Sequence, residues 1–145
     1  MTIASFLVLP YVFQPVLEST VREVIKNTGI KTCELDPLPS NLLSECLDLL
    51  HPYSTSVIND SLISGKFSSI FKSAIVKPLL KKPSLNREIL KNYRPVSNLS
   101  FLSKITEKIV LMQLADYLLK NHLYYPLQSA YHVGHSPETA LLKIV

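Results

Sequence analysis

At 145 residues, with 47% apolar and 18% charged side chains, the chain can bury a core and is too apolar to be disordered. Three glycines against ten prolines argue for helices punctuated by proline stops and against a sandwich with many tight turns. The net charge of +4 conceals an asymmetry: Lys66 to Lys108 holds ten basic residues and two acidic ones, +8 in all, while the rest sums to −4.

Residues Met1 to Phe13 are mostly apolar and uncharged. They lack the basic segment of a secretion signal, and Pro10 interrupts a run too short to span a bilayer. Residues 1–12 therefore read as an arbitrary start or a disordered segment, and no membrane is expected. Leu17, Val21, Val24 and Ile25 are spaced for one apolar helix face, with Glu18, Arg22, Glu23 and Lys26 facing solvent and Gly29 as the stop. Leu35-Asp-Pro-Leu-Pro-Ser40 predicts a rigid turn whose serine caps a second helix over Asn41–Leu50. Its inward positions would be Leu42, Leu43, Cys46, Leu47 and Leu50. Pro52 is expected to restart the chain, with Val57, Ile58, Leu62 and Ile63 forming a third helix that ends at Gly65.

The pattern changes at Phe67. Ser73 to Lys82 is partly β-branched and broken by Pro78, which suits an edge strand. Pro83 to Asn92 reads as a polar loop and Tyr93 to Asn98 as the returning strand, giving a basic hairpin. Leu102, Ile105, Ile109, Met112, Leu114, Tyr117 and Leu118 then mark a long helix ending near Asn121. Tyr124 to Gly134 is irregular, and Ser136-Pro-Glu138 opens a last helix with a capping serine, a first-position proline and an acid in the first turn. The fold class is α+β, mostly helical with a small basic β-hairpin, in one domain without repeats.

Catalysis by the chain itself finds no support. A two-metal polymerase site needs paired carboxylates on rigid elements. The candidate acids Asp36, Asp48, Asp60 and Asp116 are scattered, and no Asp-Asp pair exists. His51, His122, His132 and His135 stand beside no serine or cysteine nucleophile in a recognisable setting. Cys33 and Cys46 lie thirteen apart with no histidine at ligand spacing, so two buried free thiols are expected rather than zinc.

Binding is better supported. Tyr93 and Pro95 restrict the backbone of Arg94, whose guanidinium is thereby aimed for a bidentate phosphate contact, although such arginines also serve as structural salt-bridge donors. Lys77 and Lys81, four apart on an extended strand, share one face and can supply two further cations. His132-Val-Gly134-His135-Ser136 sets backbone N–H groups and a hydroxyl at a helix start, which suits a nucleic-acid backbone or a plain helix cap. The +8 block suits a phosphate-facing surface, and a solvated lysine-rich face would have the same composition.

Several longer motifs run in a telling order. Lys31-Thr-Cys-Glu-Leu-Asp-Pro-Leu-Pro39, Val76-Lys-Pro-Leu-Leu-Lys-Lys-Pro83, Asn92-Tyr-Arg-Pro-Val-Ser-Asn-Leu99 followed by Leu102-Ser-Lys-Ile-Thr-Glu-Lys108, and Gln128-Ser-Ala-Tyr131 through Ala140-Leu-Leu-Lys143 succeed one another. Over about Phe13 to Val145 they resemble the N-terminal, fingers part of the reverse transcriptase domain of non-LTR (LINE-type) retrotransposons, nearest the chicken-repeat-1 and L2-like groups. The resemblance implies a partial polymerase fingers/palm region. In it Arg94 and Lys81 would face the triphosphate of an incoming nucleotide, with Lys77 as the further nucleotide-binding cation that the strand spacing supplies, and the loop from Gln128 through Gly134 and His135 to Ser136 would follow the template.

It further implies an RNA template, a DNA primer and deoxynucleotide triphosphates as partners, magnesium for the full-length enzyme, and a cytoplasmic or nuclear location. Two departures stand out. The family usually has Arg-Pro-Gly-His-Ser-Thr where this chain has His132-Val-Gly-His-Ser-Pro137, and Ser100 stands where proline is common. With the missing aspartates, they imply a decayed or truncated copy that is inactive as a polymerase. The alternative, of another class, is a non-catalytic nucleic-acid-binding or protein-interaction fragment.

Overall fold

The computed structural model describes residues 11–124, 134 and 136–142. Two compact units emerge, 1–111 and 112–145. In the first, three helices precede a hairpin: α1 (Glu18–Thr28), α2 (Ser40–Glu45), α3 (Leu47–Ser64), β1 (Ala74–Leu80) and β2 (Tyr93–Leu99), followed by the start of α4 (Phe101–Lys120). The second unit holds the end of α4 and the short α5 (Pro137–Leu142). The class is α+β with one two-stranded antiparallel sheet. Among the described residues no helix is long and apolar enough to cross a membrane.

The core of the first unit is built at helical spacing. Val21, Val24 and Ile25 of α1 meet Ile58 and Leu62 of α3, Leu43 of α2, and Phe101, Ile105 and Ile109 of α4. Val21 and Ile58 are fully buried, each side chain contributing roughly 1.5–3 kcal/mol relative to exposure. Asn59 of α3 fixes the approach to α1, accepting the Val16 N–H at 2.8 Å and donating to the Val16 carbonyl at 3.0 Å. Gly29 (φ 71°) ends α1, and Gly65 (φ 64°, left-handed) ends α3.

Several expectations are corrected. Pro52 lies inside α3 rather than starting it. The ring removes one intrahelical hydrogen bond, a cost of about 3 kcal/mol in a helix interior, yet the buried stripe His51, Thr55, Ile58 and Leu62 carries the helix through it. The helix break falls earlier, at Cys46, whose φ and ψ of −89° and 2° separate α2 from α3. Ser40 is not the cap of α2; Pro39 holds that position, while the Ser40 hydroxyl lies 2.7 Å from that of Thr32. Leu17, Ile63 and Met112 are exposed at 74%, 67% and 53%, and Leu42, Val57 and Leu114 are also on the surface. Cys33 and Cys46 are free thiols but only half-buried. The hairpin loop includes a short 3-10 turn, Leu90–Asn92.

Segment Lys31 to Asp36 ties the helices to the hairpin and α4. The two carboxylate oxygens of Asp36 accept from the Cys33 N–H at 2.7 Å and from the Phe101 N–H at 2.8 Å, the latter an otherwise unsatisfied donor at the start of α4. The Cys33 thiol reaches the Leu99 carbonyl at 3.3 Å, and Lys104 Nζ donates to the Lys31 carbonyl at 3.1 Å. Ser100, the residue at the position noted above, caps α4: its hydroxyl accepts from the Ser103 N–H at 3.4 Å and pairs with the Ser103 hydroxyl at 2.6 Å. Asp36→Ala should lower unfolding free energy by about 1.5–3 kcal/mol, the range for a hydrogen bond to a charged group, with Asp36→Asn intermediate, as read by urea denaturation.

His51 is 1% exposed, and neither ring nitrogen has a hydrogen-bond partner among the described residues; Thr55 Oγ1, one turn on, has none either. Burial lowers the His51 pKa below its ordinary 6.5, and the Arg22 guanidinium adds to this against the opposing pull of Asp48 and Glu18. The unfolded chain therefore binds the proton more readily, so His51 destabilises the fold as pH falls below 6.5 and leaves stability flat above it. Denaturation midpoints should decline from pH 7.5 to 5, and His51→Leu should flatten that decline.

Candidate nucleic-acid interface

The hairpin is defined by two prolines. The register pairs Lys77 with Val96, Pro78 with Pro95, Leu79 with Arg94 and Leu80 with Tyr93. Past the strand end, the Lys81 N–H donates to the Asn92 carbonyl at 2.9 Å. Antiparallel pairs alternate between hydrogen-bonded and non-bonded, so that bond fixes the alternation and sets Pro78 opposite Pro95 at a non-bonded pair. No ladder donor is lost there, and both rings point their missing N–H groups to the outer edges. A slip of one residue would place the prolines in adjacent pairs, one of which is always bonded, so one ring would sit where the ladder needs a donor and the facing pair favours this register.

That register decides which side chains share a face. Lys77 and Leu79 lie on the same side as Arg94 and Val96, with Arg94 diagonal to Lys77; Lys81, one residue past β1, extends the pairing through its N–H bond to the Asn92 carbonyl. Of the three residues predicted from sequence to bind a nucleotide, Lys77 and Arg94 thus share one face and Lys81 stands at the end of the same strand. They are not equally available. Lys77 Nζ forms an ion pair with Glu34 at 2.6 Å, and that carboxylate's hydrogen bond and charge hold the lysine pKa above its ordinary value. Lys81 Nζ donates to the Lys91 carbonyl at 2.7 Å, which ties the loop to the strand end. Arg94 is exposed and has no ion-pair partner among the described residues. Glu34 is the residue sequence reasoning missed. Its only signal was an acid within the Lys31–Pro39 motif, and its partner lies forty-three residues away.

The opposite face carries a depression of about 490 Å³ whose lining includes Val76, Pro78, Tyr93 and Pro95, with Arg87 and Arg94 beside them. The Tyr93 hydroxyl donates to the Arg87 carbonyl at 3.0 Å. A larger groove, about 600 Å³, is lined by apolar side chains such as Leu43, Leu47, Tyr53, Ile70 and Phe101. Its wall carries Asp36, already committed to two backbone donors, and no cation. The groove therefore lacks the charge to hold an anion.

Of the residues predicted to follow a template, Gln128 and His135 lie outside the described residues. Gly134 is exposed with φ 77°. Ser136 immediately precedes α5 and hydrogen-bonds to the Glu138 side chain, which holds that carboxyl below its ordinary pKa. Among the described residues no three His, Cys, Asp or Glu side chains gather closely enough to hold a metal ion. Compared with protein-family models, curated proteins and solved structures, the chain finds no match in any of the three.

Proposed function

We propose that the chain is the fingers-side part of an RNA-directed DNA polymerase of the LINE-type retrotransposon class, with a nucleic-acid contact role and no catalytic one. The observation that carries the proposal is the shared face of Arg94 and Lys77 on a hairpin with facing prolines, with Lys81 at its end, within motifs that follow one another in the order of that family. A planar guanidinium between two ammonium groups matches a polyphosphate or a strand backbone. In this reading the three residues contact the nucleotide, while Gln128, Gly134, His135 and Ser136 contact the template. RNA template, DNA primer and deoxynucleotide triphosphates are the partners, in the cytoplasm or nucleus. Magnesium in such an enzyme is held by paired aspartates, and this sequence has no Asp-Asp pair, so these residues do not fit the metal.

A second reading, a protein-interaction fragment, draws on the apolar groove of about 600 Å³ and the exposed Tyr53 and Ile70 beside it. It leaves the clustering of cations on the hairpin without a role. The first reading accounts for both the charge and the motifs.

The test is binding of single-stranded oligonucleotides followed by fluorescence anisotropy. Affinity should fall steeply with salt, because cations on the hairpin displace counterions from phosphates. Arg94→Ala should weaken binding by about 1.5–3 kcal/mol, the range for a directed hydrogen bond to a charged group. Lys108→Ala, which removes a charge from the exposed surface of α4, should cost less. Glu34→Gln should strengthen binding by releasing Lys77 from its ion pair. Equal losses from Arg94→Ala and Lys108→Ala would leave only diffuse electrostatics. On a primed RNA template with magnesium, the 145-residue chain should incorporate no deoxynucleotide above a mock preparation.

A further inference from the structure

The hairpin has a second face, and its chemistry differs from the first. We infer that the depression lined by Val76, Pro78, Tyr93, Pro95, Arg87 and Leu90 is a stacking site for a base of single-stranded nucleic acid, with Arg87 as its phosphate contact. The site rests on the nucleic-acid reading of the hairpin but uses residues to which that reading gives no role, Arg94 excepted.

Register sets Val76 and Pro78 on the same side as Pro95 and Tyr93, so four side chains with apolar surface form a continuous floor. Two of the four are proline rings facing one another, which hold their shape without side-chain entropy to lose on binding. The Tyr93 hydroxyl is hydrogen-bonded to the Arg87 carbonyl at 3.0 Å, so the ring and the loop bearing Arg87 are joined. Leu90 is 87% exposed at the edge of the depression, an aliphatic side chain left in water unless a ligand covers it. No acidic residue lines the depression, and two guanidinium groups do.

An apolar floor with an aromatic ring and flanking cations is the combination that binds single strands. Bases stack on the ring while phosphates meet the cations, and the sequence of the strand matters little. A duplex fits poorly because its base faces are already stacked on one another. The volume of about 490 Å³ lies within the range of ligand clefts and accommodates one nucleotide. Arg94 borders this depression as well as belonging to the lysine face, which links the two sites along one strand.

The chain contains no tryptophan, so Leu90→Trp introduces a single indole reporter at the edge of the site. The full chain carrying it is titrated at low salt with twelve-residue oligo-dT, oligo-U and an abasic strand of equal charge. Anisotropy of labelled strands is followed in parallel on the unsubstituted chain. The base-bearing strands should quench the indole and bind about tenfold tighter than the abasic one, the worth of one base–aromatic stack. Quenching by either sugar supports the site, and the stronger of the two identifies the preferred strand. Arg87→Gln should weaken the base-bearing strands more than Lys108→Gln does.

Equal affinity for abasic and base-bearing strands, with unchanged indole emission, would overturn the stacking site while leaving the hairpin a nucleic-acid contact. Absence of binding by every strand would overturn both. If Leu90→Trp perturbs folding, the ratio of abasic to base-bearing affinity on the unsubstituted chain decides alone.

Discussion

The carboxylate of Asp36 is the interaction on which the rest of the first unit depends. It stands in a segment between α1 and α2, yet it accepts the N–H that opens α4, sixty-five residues later in the chain. Around it the same segment contributes the Cys33 contact to the Leu99 carbonyl, the Lys31 carbonyl that receives Lys104, and the Glu34 partner of Lys77. Each is modest alone, and the exposed ion pair contributes least to stability. Jointly they join the N-terminal helices to the hairpin and to the helix that follows it. The apolar core of α1, α2, α3 and α4 could be satisfied by several rotations of a helix; the directional bonds of this segment select one.

The hairpin adds a second constraint, from backbone chemistry. Facing prolines at Pro78 and Pro95 are compatible with one alternation of the ladder, and that alternation decides which cations are neighbours. A shift by one residue would separate Lys77 and Lys81 from Arg94 and leave a lysine face and an arginine face. The prolines also lie on the outer edges of a two-stranded sheet, where unpaired N–H groups would invite pairing with another strand. One pair of residues therefore serves register, edge protection and the arrangement of charge. Glu34 tempers the result, because it competes with any phosphate for Lys77.

Much of this was legible from sequence where the pattern was local and one-sided. The apolar face of α1, its glycine stop, the left-handed glycine after α3 and both strands follow from spacing and from glycine and proline chemistry. Pro52 was misread because a proline signal is local, whereas the stripe His51, Thr55, Ile58 and Leu62 that keeps α3 continuous is cooperative over three turns. The core face of α4 was only partly legible. That helix is apolar on nearly every side, so spacing alone does not tell Ile105 and Ile109 from Met112 and Leu114. At the site, the shared face of Lys77 and Lys81 was readable from strand period. The cross-strand position of Arg94, the Glu34 ion pair and the Arg87 depression were not, since each depends on register or on distant contacts.

These constraints set the basic hairpin in one register and tie it to the segment between α1 and α2 through Cys33 and Glu34, and the proposed role is contact with a phosphate strand. The most direct test is amide chemical-shift mapping of the isotope-labelled chain with a single-stranded RNA oligonucleotide at low salt. The account predicts the largest shifts within β1, β2 and their connecting loop, from Val76 to Val96, with little change in α1 to α3. Largest shifts along the apolar groove, at Leu43, Tyr53 and Ile70, or no shifts at any concentration, would contradict it.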